Sequence, residues 1–162
     1  MGPEFTESAI LIGLLVLSGS FSGSETALIA LSMARVESLV QEGRAGAAAL
    51  YKLKKDPSRM LTTILIGNNV VNIAASALAT VIATREFGEA GPVIAVGILT
   101  LVILVFGEIT PKSLATRNPE KISLLVAMPL LMFMKVIYPL VWMFGRFTTW
   151  VHRVSGGKEE PT

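Results

Sequence analysis

The sequence contains no cysteine, a single histidine and few charged residues. Without cysteine, neither a disulfide framework nor a thiolate metal site can form. The one histidine, His152, lies in a polar, basic stretch near the C-terminus, so neither a zinc centre nor a histidine-based hydrolase is expected. Charged residues make up 16% of the chain and apolar residues 52%, whereas soluble domains carry about 25% charged residues. This composition predicts a protein whose solvent is lipid.

The sequence instead contains long apolar segments. Crossing a bilayer takes about 20 apolar residues, and three segments reach that length, at about 8–32, 60–83 and 92–114. The first is too long, and too poor in preceding positive charge, for a cleaved signal peptide. We interpret residues 1–5 as an expression scar and 6–154 as one transmembrane domain. The polar tail, 155–162, is expected to lead into soluble domains.

The net charge of +2 is small, but its basic residues are unevenly placed. Residues 33–59, between the first two spans, are rich in basic side chains: Arg35, Arg44, Lys52, Lys54, Lys55 and Arg59. By contrast, residues 84–91 carry more acid than base, and no basic residue precedes the first span. The positive-inside rule therefore predicts an outside N-terminus and a cytoplasmic C-terminus. The same distribution indicates a topology signal and no nucleic-acid surface.

Two parts of the chain outside the spans also look helical. The apolar spacing within 33–59 predicts two short amphipathic helices on the cytoplasmic side, broken around 43–46. Residues 122–150 are apolar enough for a fourth crossing but contain Pro129, Lys135, Pro139 and Arg146. We favour a juxtamembrane helix lying along the interface, because its basic side chains can then reach the headgroups. The predicted fold is an all-α membrane protein with three transmembrane helices per subunit.

Polar residues inside the predicted spans are the candidate functional groups. Of twelve acidic residues, only Glu25 and Glu108 fall within a span, and a carboxylate there needs a partner, a proton or a cation. Ser18, Ser22 and Glu25 share one face of the first span. Asn68 and Asn72 form a similar stripe on the second, with Asn69 to the side.

The third span carries Gly107-Glu108-Ile109-Thr110-Pro111. Pro111 has no N–H, so in an α-helix the Gly107 carbonyl loses its hydrogen bond. Freed carbonyls beside an ionisable side chain are how membrane transporters build ion sites. Hydroxyl, amide, carbonyl and carboxylate oxygens from three spans suit a hard cation such as Mg²⁺.

Structural interpretations remain open for each of these groups. Gly19 and Gly23 form a GxxxG pattern that is typical of helix packing. The asparagines would also serve as interhelical hydrogen-bonding groups, and Pro111 as a simple kink. Glu25 lies near the inner interface, where pairing with a basic residue competes with an ion-binding role.

Three segments resemble the signature motifs of the CorC/CNNM family of Mg²⁺ transporters: Phe21–Ala27, Ile66–Asn72 and Phe106–Lys112. The resemblance implies a homodimer in the plasma or inner membrane that exports a largely dehydrated Mg²⁺, with Na⁺ as the coupling ion. It also implies ATP-binding cytosolic CBS domains in the full-length protein. The metal-site residues expected from these motifs and the oxygen stripes are Ser18, Ser22, Gly23, Asn68, Asn72, Gly107 and Glu108. Second-shell or Na⁺-site residues are expected at Glu25, Asn69, Thr110 and Lys112.

Other functions compete with this one. A Na⁺-coupled carrier of another small solute would use the same kind of site. An inert membrane anchor and dimerisation module is a second alternative, with close-packing surfaces at the Gly19/Gly23 face and at Ala74, Ala75 and Ala79. An enzyme is not expected, because no span holds a histidine, a cysteine or a pair of aspartates.

Overall fold

A computed structural model describes residues 3–155, and this part of the chain is helical with no strand. The eight α-helices are α1 (Pro3–Ala30), α2 (Met33–Gln41), α3 (Ala47–Lys54), α4 (Pro57–Phe87), α5 (Gly91–Val102), α6 (Thr110–Arg117), α7 (Pro119–Val136) and α8 (Tyr138–Val154). A 3₁₀ turn, Gly88–Ala90, joins α4 to α5, and a π-helical segment, Ile103–Ile109, joins α5 to α6. The expected all-α membrane fold is confirmed.

Two of the predictions concern the ends of the chain. The first turn of α1 begins at Pro3, within the stretch interpreted as an expression scar. The polar tail, apart from Ser155, and the side chain of His152 lie outside the described residues.

Two helical stretches have the length and hydropathy of membrane spans, Glu4–Ala30 and the 61-residue run Pro57–Arg117. At 1.5 Å per residue, 61 helical residues would measure roughly 90 Å, three times the thickness of the hydrocarbon core. The run reverses at Gly88, whose φ of +59° lies in the left-handed region that glycine adopts readily. The second stretch is therefore an antiparallel pair, which gives the three predicted crossings.

The contacts between α4 and α5 establish this antiparallel arrangement. Asn72 and Ile103 line one end of a shared groove, and Thr80 and Ala95 line the other. Near the turn the two helices touch so closely that a Cβ on Gly91 would lie 2.5 Å from the Ala83 carbonyl. Only glycine fits at that position.

The two predicted short helices after the first span are confirmed as α2 and α3. Ser32 caps α2 by accepting a hydrogen bond from the backbone N–H of Arg35. The break between them contains Gly43 (φ +68°) and Gly46 (φ +83°), in the left-handed backbone region. A Cβ on Gly46 would also collide with the Leu124 carbonyl of α7. The glycines therefore both turn the chain and let α7 approach.

The main apolar core lies where α2 and α3 meet the end of α1, the start of α4 and one face of α7. Its large, fully buried side chains include Leu28, Leu39, Leu50, Leu53 and Met60. Lys54 of α3 also reaches this region, where its Nζ donates to the Leu28 carbonyl at 2.7 Å. Because Leu28 is in the last turn of α1, the ammonium satisfies one of the carbonyls that the helix end leaves unpaired.

The prediction of one juxtamembrane helix over 122–150 is wrong in its boundaries. Helix α7 already begins at Pro119 and ends at Val136, and α8 follows at a bend of 67°. The proline at position 139 explains the bend, because it lacks an N–H and its ring collides with the carbonyl four residues earlier. Together, α7 and α8 have the length and hydropathy of one broken span. Their placement along the interface stays a prediction.

Candidate cation site

Oxygen atoms from α1 and α4 meet in the interior of the helical assembly. The side chain of Ser18 is fully buried, and its Oγ lies 2.7 Å from Asn72 Oδ1 and 3.3 Å from Asn68 Oδ1. The two asparagines are one helical turn apart, so both reach the same point on α1. The two polar stripes read from the sequence therefore face each other.

In this cluster a single hydroxyl hydrogen faces two amide oxygens, those of Asn68 and Asn72. A serine hydroxyl has one hydrogen to donate, and the shorter distance assigns it to Asn72. The Asn68 oxygen and the Ser18 lone pairs receive no hydrogen from this contact, so these oxygens are lone-pair donors of the kind that a hard cation takes.

The π-helical segment supplies the third side of the cluster. Gly107 is buried, and a Cβ placed on it would lie 2.9 Å from Ser18 Oγ. That distance is shorter than real Cβ contacts, so the absence of a side chain at Gly107 lets the segment approach Ser18. The structure thus brings together residues of three spans: Ser18, Asn68, Asn72 and Gly107.

The helix around Pro111 widens and does not break. The N–H of Thr110 donates to the Val105 carbonyl, five residues earlier, as in a π-helix. In this register the residue that would bond the Phe106 carbonyl is Pro111, which has no N–H. The sequence-based argument for a freed Gly107 carbonyl assumed the α-helical register. In the π-helical register it is the Phe106 carbonyl that Pro111 leaves without an N–H donor, and its oxygen lies 3.1 Å from the Cβ position of Gly19. π-helical segments of this kind occur frequently at functional sites.

Ser22 and Gly23 lie one turn further along α1. Ser22 is 1% exposed, and its Oγ has no hydrogen-bond partner among the described residues. Gly19 and Gly23 contact Pro111, whose ring and carbonyl occupy the space where their Cβ atoms would be. The GxxxG pattern therefore packs α1 against α6 within one chain. Ser22 is left as a buried hydroxyl whose hydrogen-bonding capacity the protein itself does not use.

Glu108 is half-buried and follows the glycine that contacts Ser18. Within residues 3–155 it forms no hydrogen bond or ion pair. No group of three or more histidine, cysteine, aspartate or glutamate side chains in this range could hold a metal ion. A cation at this position would therefore be held by one carboxylate together with neutral oxygens.

Of the four expected second-shell residues, two form an ion pair with each other and two lie apart from the site. Lys112 Nζ lies 3.6 Å from Glu25 Oε2, and both side chains are close to half-exposed. This contact joins α1 to α6 and matches the open alternative of a structural role for Glu25. Asn69 and Thr110 are exposed in the single chain. The structure does not bring these two into the oxygen cluster.

The sequence matches the family described as the Cyclin M (CNNM) transmembrane N-terminal domain over residues 9–162. The chain belongs to this family. The three signature segments had predicted that membership, and the match covers the spans described above except for the first residues of α1.

Similar proteins occur in bacteria and plants. A UPF0053 protein of Haemophilus influenzae is 47% identical over 156 residues, which are 96% of this chain and 37% of that protein. The UPF0053 inner membrane protein YfjD of Escherichia coli is 40% identical over 144 residues, covering 89% of this chain and 34% of that protein. A chloroplastic DUF21 domain-containing protein of Arabidopsis thaliana is 39% identical over 161 residues, which cover 96% of this chain and 24% of that protein. The chain thus spans about a third or less of these relatives, and it is a membrane protein.

Two features of this CNNM domain were missed in the sequence. The Phe106 carbonyl, which has no N–H donor at Pro111, carries no side-chain signal, although a proline five residues later would have pointed to it under a π-helical register. The Lys54 contact with Leu28 had no local signal at all, because 26 residues separate the partners. Burial of Lys54 lowers the pKa of its ammonium, in keeping with its position at the edge of the apolar core.

Proposed function

We propose that this CNNM domain is the membrane part of a Mg²⁺ transporter that exports Mg²⁺ in exchange for Na⁺. The convergence of Ser18, Asn68, Asn72 and Gly107 carries the proposal. These groups offer only oxygen, which is the ligand type that Mg²⁺ prefers. Helices of three spans contribute, so movement of one span would open or close the site.

A single carboxylate supplies the formal charge in this proposal. A divalent ion in a low-dielectric interior needs a negative partner, and Glu108 has no partner of its own among residues 3–155. Ser22 adds a second unused oxygen donor. The proposed ligand set is Ser18, Ser22, Gly23, Asn68, Asn72, Gly107 and Glu108, with the last as the principal ligand.

The remaining predictions enter as parts of the same proposal. Glu25 and Lys112 would form a charged pair at the inner mouth, and Asn69 and Thr110 would contribute after a conformational change or in a dimer. The functional unit would be a homodimer in the plasma or inner membrane, with the N-terminus outside and α2 and α3 in the cytoplasm. CBS domains of the full-length protein would regulate transport, and the domain itself would catalyse no reaction.

Calorimetric titration of the purified protein with Mg²⁺, with and without Na⁺, tests the proposal. We expect Glu108→Ala to lower Mg²⁺ affinity by at least about a hundredfold, because it removes the only formal negative charge at the site. Asn72→Ala should weaken binding by roughly tenfold. Glu37→Ala, which removes an exposed acid on α2, is the matched control and should bind as the wild type does.

The same titration separates the alternatives. Wild-type affinity in Glu108→Ala would remove that residue from the site. A folded, dimeric wild-type protein that binds no divalent ion would support the anchor module, and strong binding of another small solute with Na⁺ would support the solute carrier. Competition among Mg²⁺, Mn²⁺ and Ca²⁺ then defines the ion that the site prefers.

A further inference from the structure

A groove of about 250 Å³ runs between α4 and α5 and begins at the candidate cation site. Asn72 lines its inner end, and Ser76 and Thr80 continue along the same side of α4. Thr100 faces them from α5, among aliphatic side chains. Asn72 therefore contacts Ser18 at the site and also lines the groove.

Between Asn72 and Thr84, the polar side chains of α4 are confined to this side. Asn72, Ser76, Thr80 and Thr84 follow one another at every fourth residue, which covers about 18 Å along the helix. The residues next to the first three of them, Ile73, Ala77 and Val81, are all apolar. Ile73 and Val81 are 69% and 53% exposed, as expected for positions that face lipid.

Two of the three hydroxyls of the groove, those of Thr80 and Thr100, are oriented as acceptors. Thr80 Oγ1 donates its hydrogen to the Ser76 carbonyl at 2.8 Å, and Thr100 Oγ1 donates to the Val96 carbonyl at 2.6 Å. With its one hydrogen used inside the helix, each hydroxyl presents only lone pairs to any other group. These two hydroxyls can therefore coordinate a cation but cannot donate a hydrogen bond to an anion.

The turn between α4 and α5, which follows this part of α4 along the chain but does not line the groove, carries acidic residues. Arg85, the one basic residue of 84–91, is held by Glu7 of α1 in a two-pronged contact of 2.8 and 2.9 Å. Glu86 and Glu89 lie beside it in the chain without such a partner in the described structure. The charge left at this end is negative, as suits the mouth of a cation path.

We propose that this groove is the path along which the cation travels between the candidate site and the turn between α4 and α5. The path rests on the proposed function, since the site is its inner end. Ser76, Thr80 and Thr100 would replace water around the moving ion one oxygen at a time, and Glu86 and Glu89 would receive it at the mouth.

Cysteine scanning tests the groove directly, because the chain has no native cysteine. Thr80→Cys and Thr100→Cys should react with a small, water-soluble cationic thiol reagent at least tenfold faster than Val81→Cys. A thiol reacts as the thiolate, which requires water, and Val81 is the matched position on the lipid-facing side of α4. Mg²⁺ at saturating concentration should slow modification of Ser76→Cys, the position nearest the site.

Transport into liposomes loaded with a Mg²⁺-sensitive dye provides the second readout. Thr80→Val keeps the shape of the side chain but removes the oxygen, and should slow Mg²⁺ flux by about tenfold with unchanged calorimetric affinity. Thr62→Val is the matched control, since Thr62 forms the same contact to a carbonyl four residues earlier, at the other end of α4.

Each outcome decides the proposal. Equal modification rates at Thr80→Cys and Val81→Cys would overturn it, as would Ser76→Cys modification that Mg²⁺ leaves unchanged in protein shown to bind Mg²⁺. A Thr80→Val protein that loses its dimer instead of its transport would make the groove a contact between subunits. A wild-type protein that binds no Mg²⁺ would instead refute the proposed function, whatever the accessibility of the groove.

Discussion

The end of the molecule around α2 and α3 buries large side chains, whereas the end around the α4–α5 turn buries mainly small ones. Leu39, Leu50 and Leu53 have no exposed surface at the α2/α3 end. At the turn end the buried residues include Ala83 and Gly91, and long aliphatic side chains there point outward. One end is thus packed like a soluble protein, and the other leaves its apolar surface to the lipid.

This difference has a physical origin. The α2/α3 end contains polar, charged segments, so its helices can bury an apolar face away from water and gain hydrophobic free energy. Within a bilayer that gain is absent, and helices associate through small residues that allow close backbone contact. The oxygen cluster lies between the two ends, where α1 is held by the core on one side and meets looser packing on the other.

The largest effect expected from this comparison is on stability. Leu50→Ala should lower the free energy of unfolding by about 3 kcal/mol, because it leaves a cavity in a fully packed region. Leu101→Ala, at a position that is 66% exposed, should cost well under 1 kcal/mol. Denaturant titration of both variants in the same detergent measures the difference. Similar losses would show that the two ends are equally packed.

A second prediction concerns Gly107, which lies at the oxygen cluster between the two ends. Gly107→Ala should lower Mg²⁺ affinity by roughly tenfold, because the added methyl group must displace the Ser18 hydroxyl from Asn72. Gly97→Ala on α5 is the control, since a Cβ there meets nothing within 4 Å. Calorimetry on both proteins is the measurement. Loss of binding in Gly97→Ala as well would indicate that any added methyl group in the third span disturbs the site.

The smallest effect is expected from charge at the α2/α3 end. The Ser38 hydroxyl and the Arg35 guanidinium both bond Glu42 and hold the pKa of its carboxyl below the usual 4.5. Because the unfolded carboxyl takes up a proton first, this contribution is present above pH 4.5 and is lost as pH falls through the lowered pKa.

Thermal denaturation of Glu42→Gln and wild type should therefore differ slightly at neutral pH and converge in acid. The difference should be small, since both partners of the ion pair are about 40% exposed. Glu37→Gln, on the same helix and without an ion pair in the described structure, should show no such convergence. A gap that stays constant down to pH 3 would contradict the assignment.

Much of the fold was predictable from patterns along the chain. Hydropathy and length identify the membrane-spanning segments, and the glycines at 43 and 46 mark the break between α2 and α3. Helical spacing places Ser18 and Asn72 on polar faces, and the cost of exposing such faces to lipid predicts that they meet. In the structure the Ser18 hydroxyl lies 2.7 Å from the Asn72 oxygen, so these two faces are in contact.

Other features depend on how helices sit against one another. The apolar run 122–150 contains two prolines, and either could have bent the helix. In the structure Pro129 lies inside α7, and the bend lies at Pro139 in the first turn of α8. The Glu25–Lys112 contact was one of several pairings open to that acid. For these residues the local sequence allows more than one outcome.

The sequence by itself determined the number and length of the apolar segments, the helical faces that carry oxygen, and the family. These follow from local periodicity and from the energy of placing each side chain in lipid. Only the tertiary structure decided the π-helical register before Pro111, the approach of Gly107 to Ser18 and the groove from Asn72 to Thr80. Each of these depends on the rotation and axial offset of one helix relative to another, which packing between residues far apart in the chain sets and no local pattern encodes.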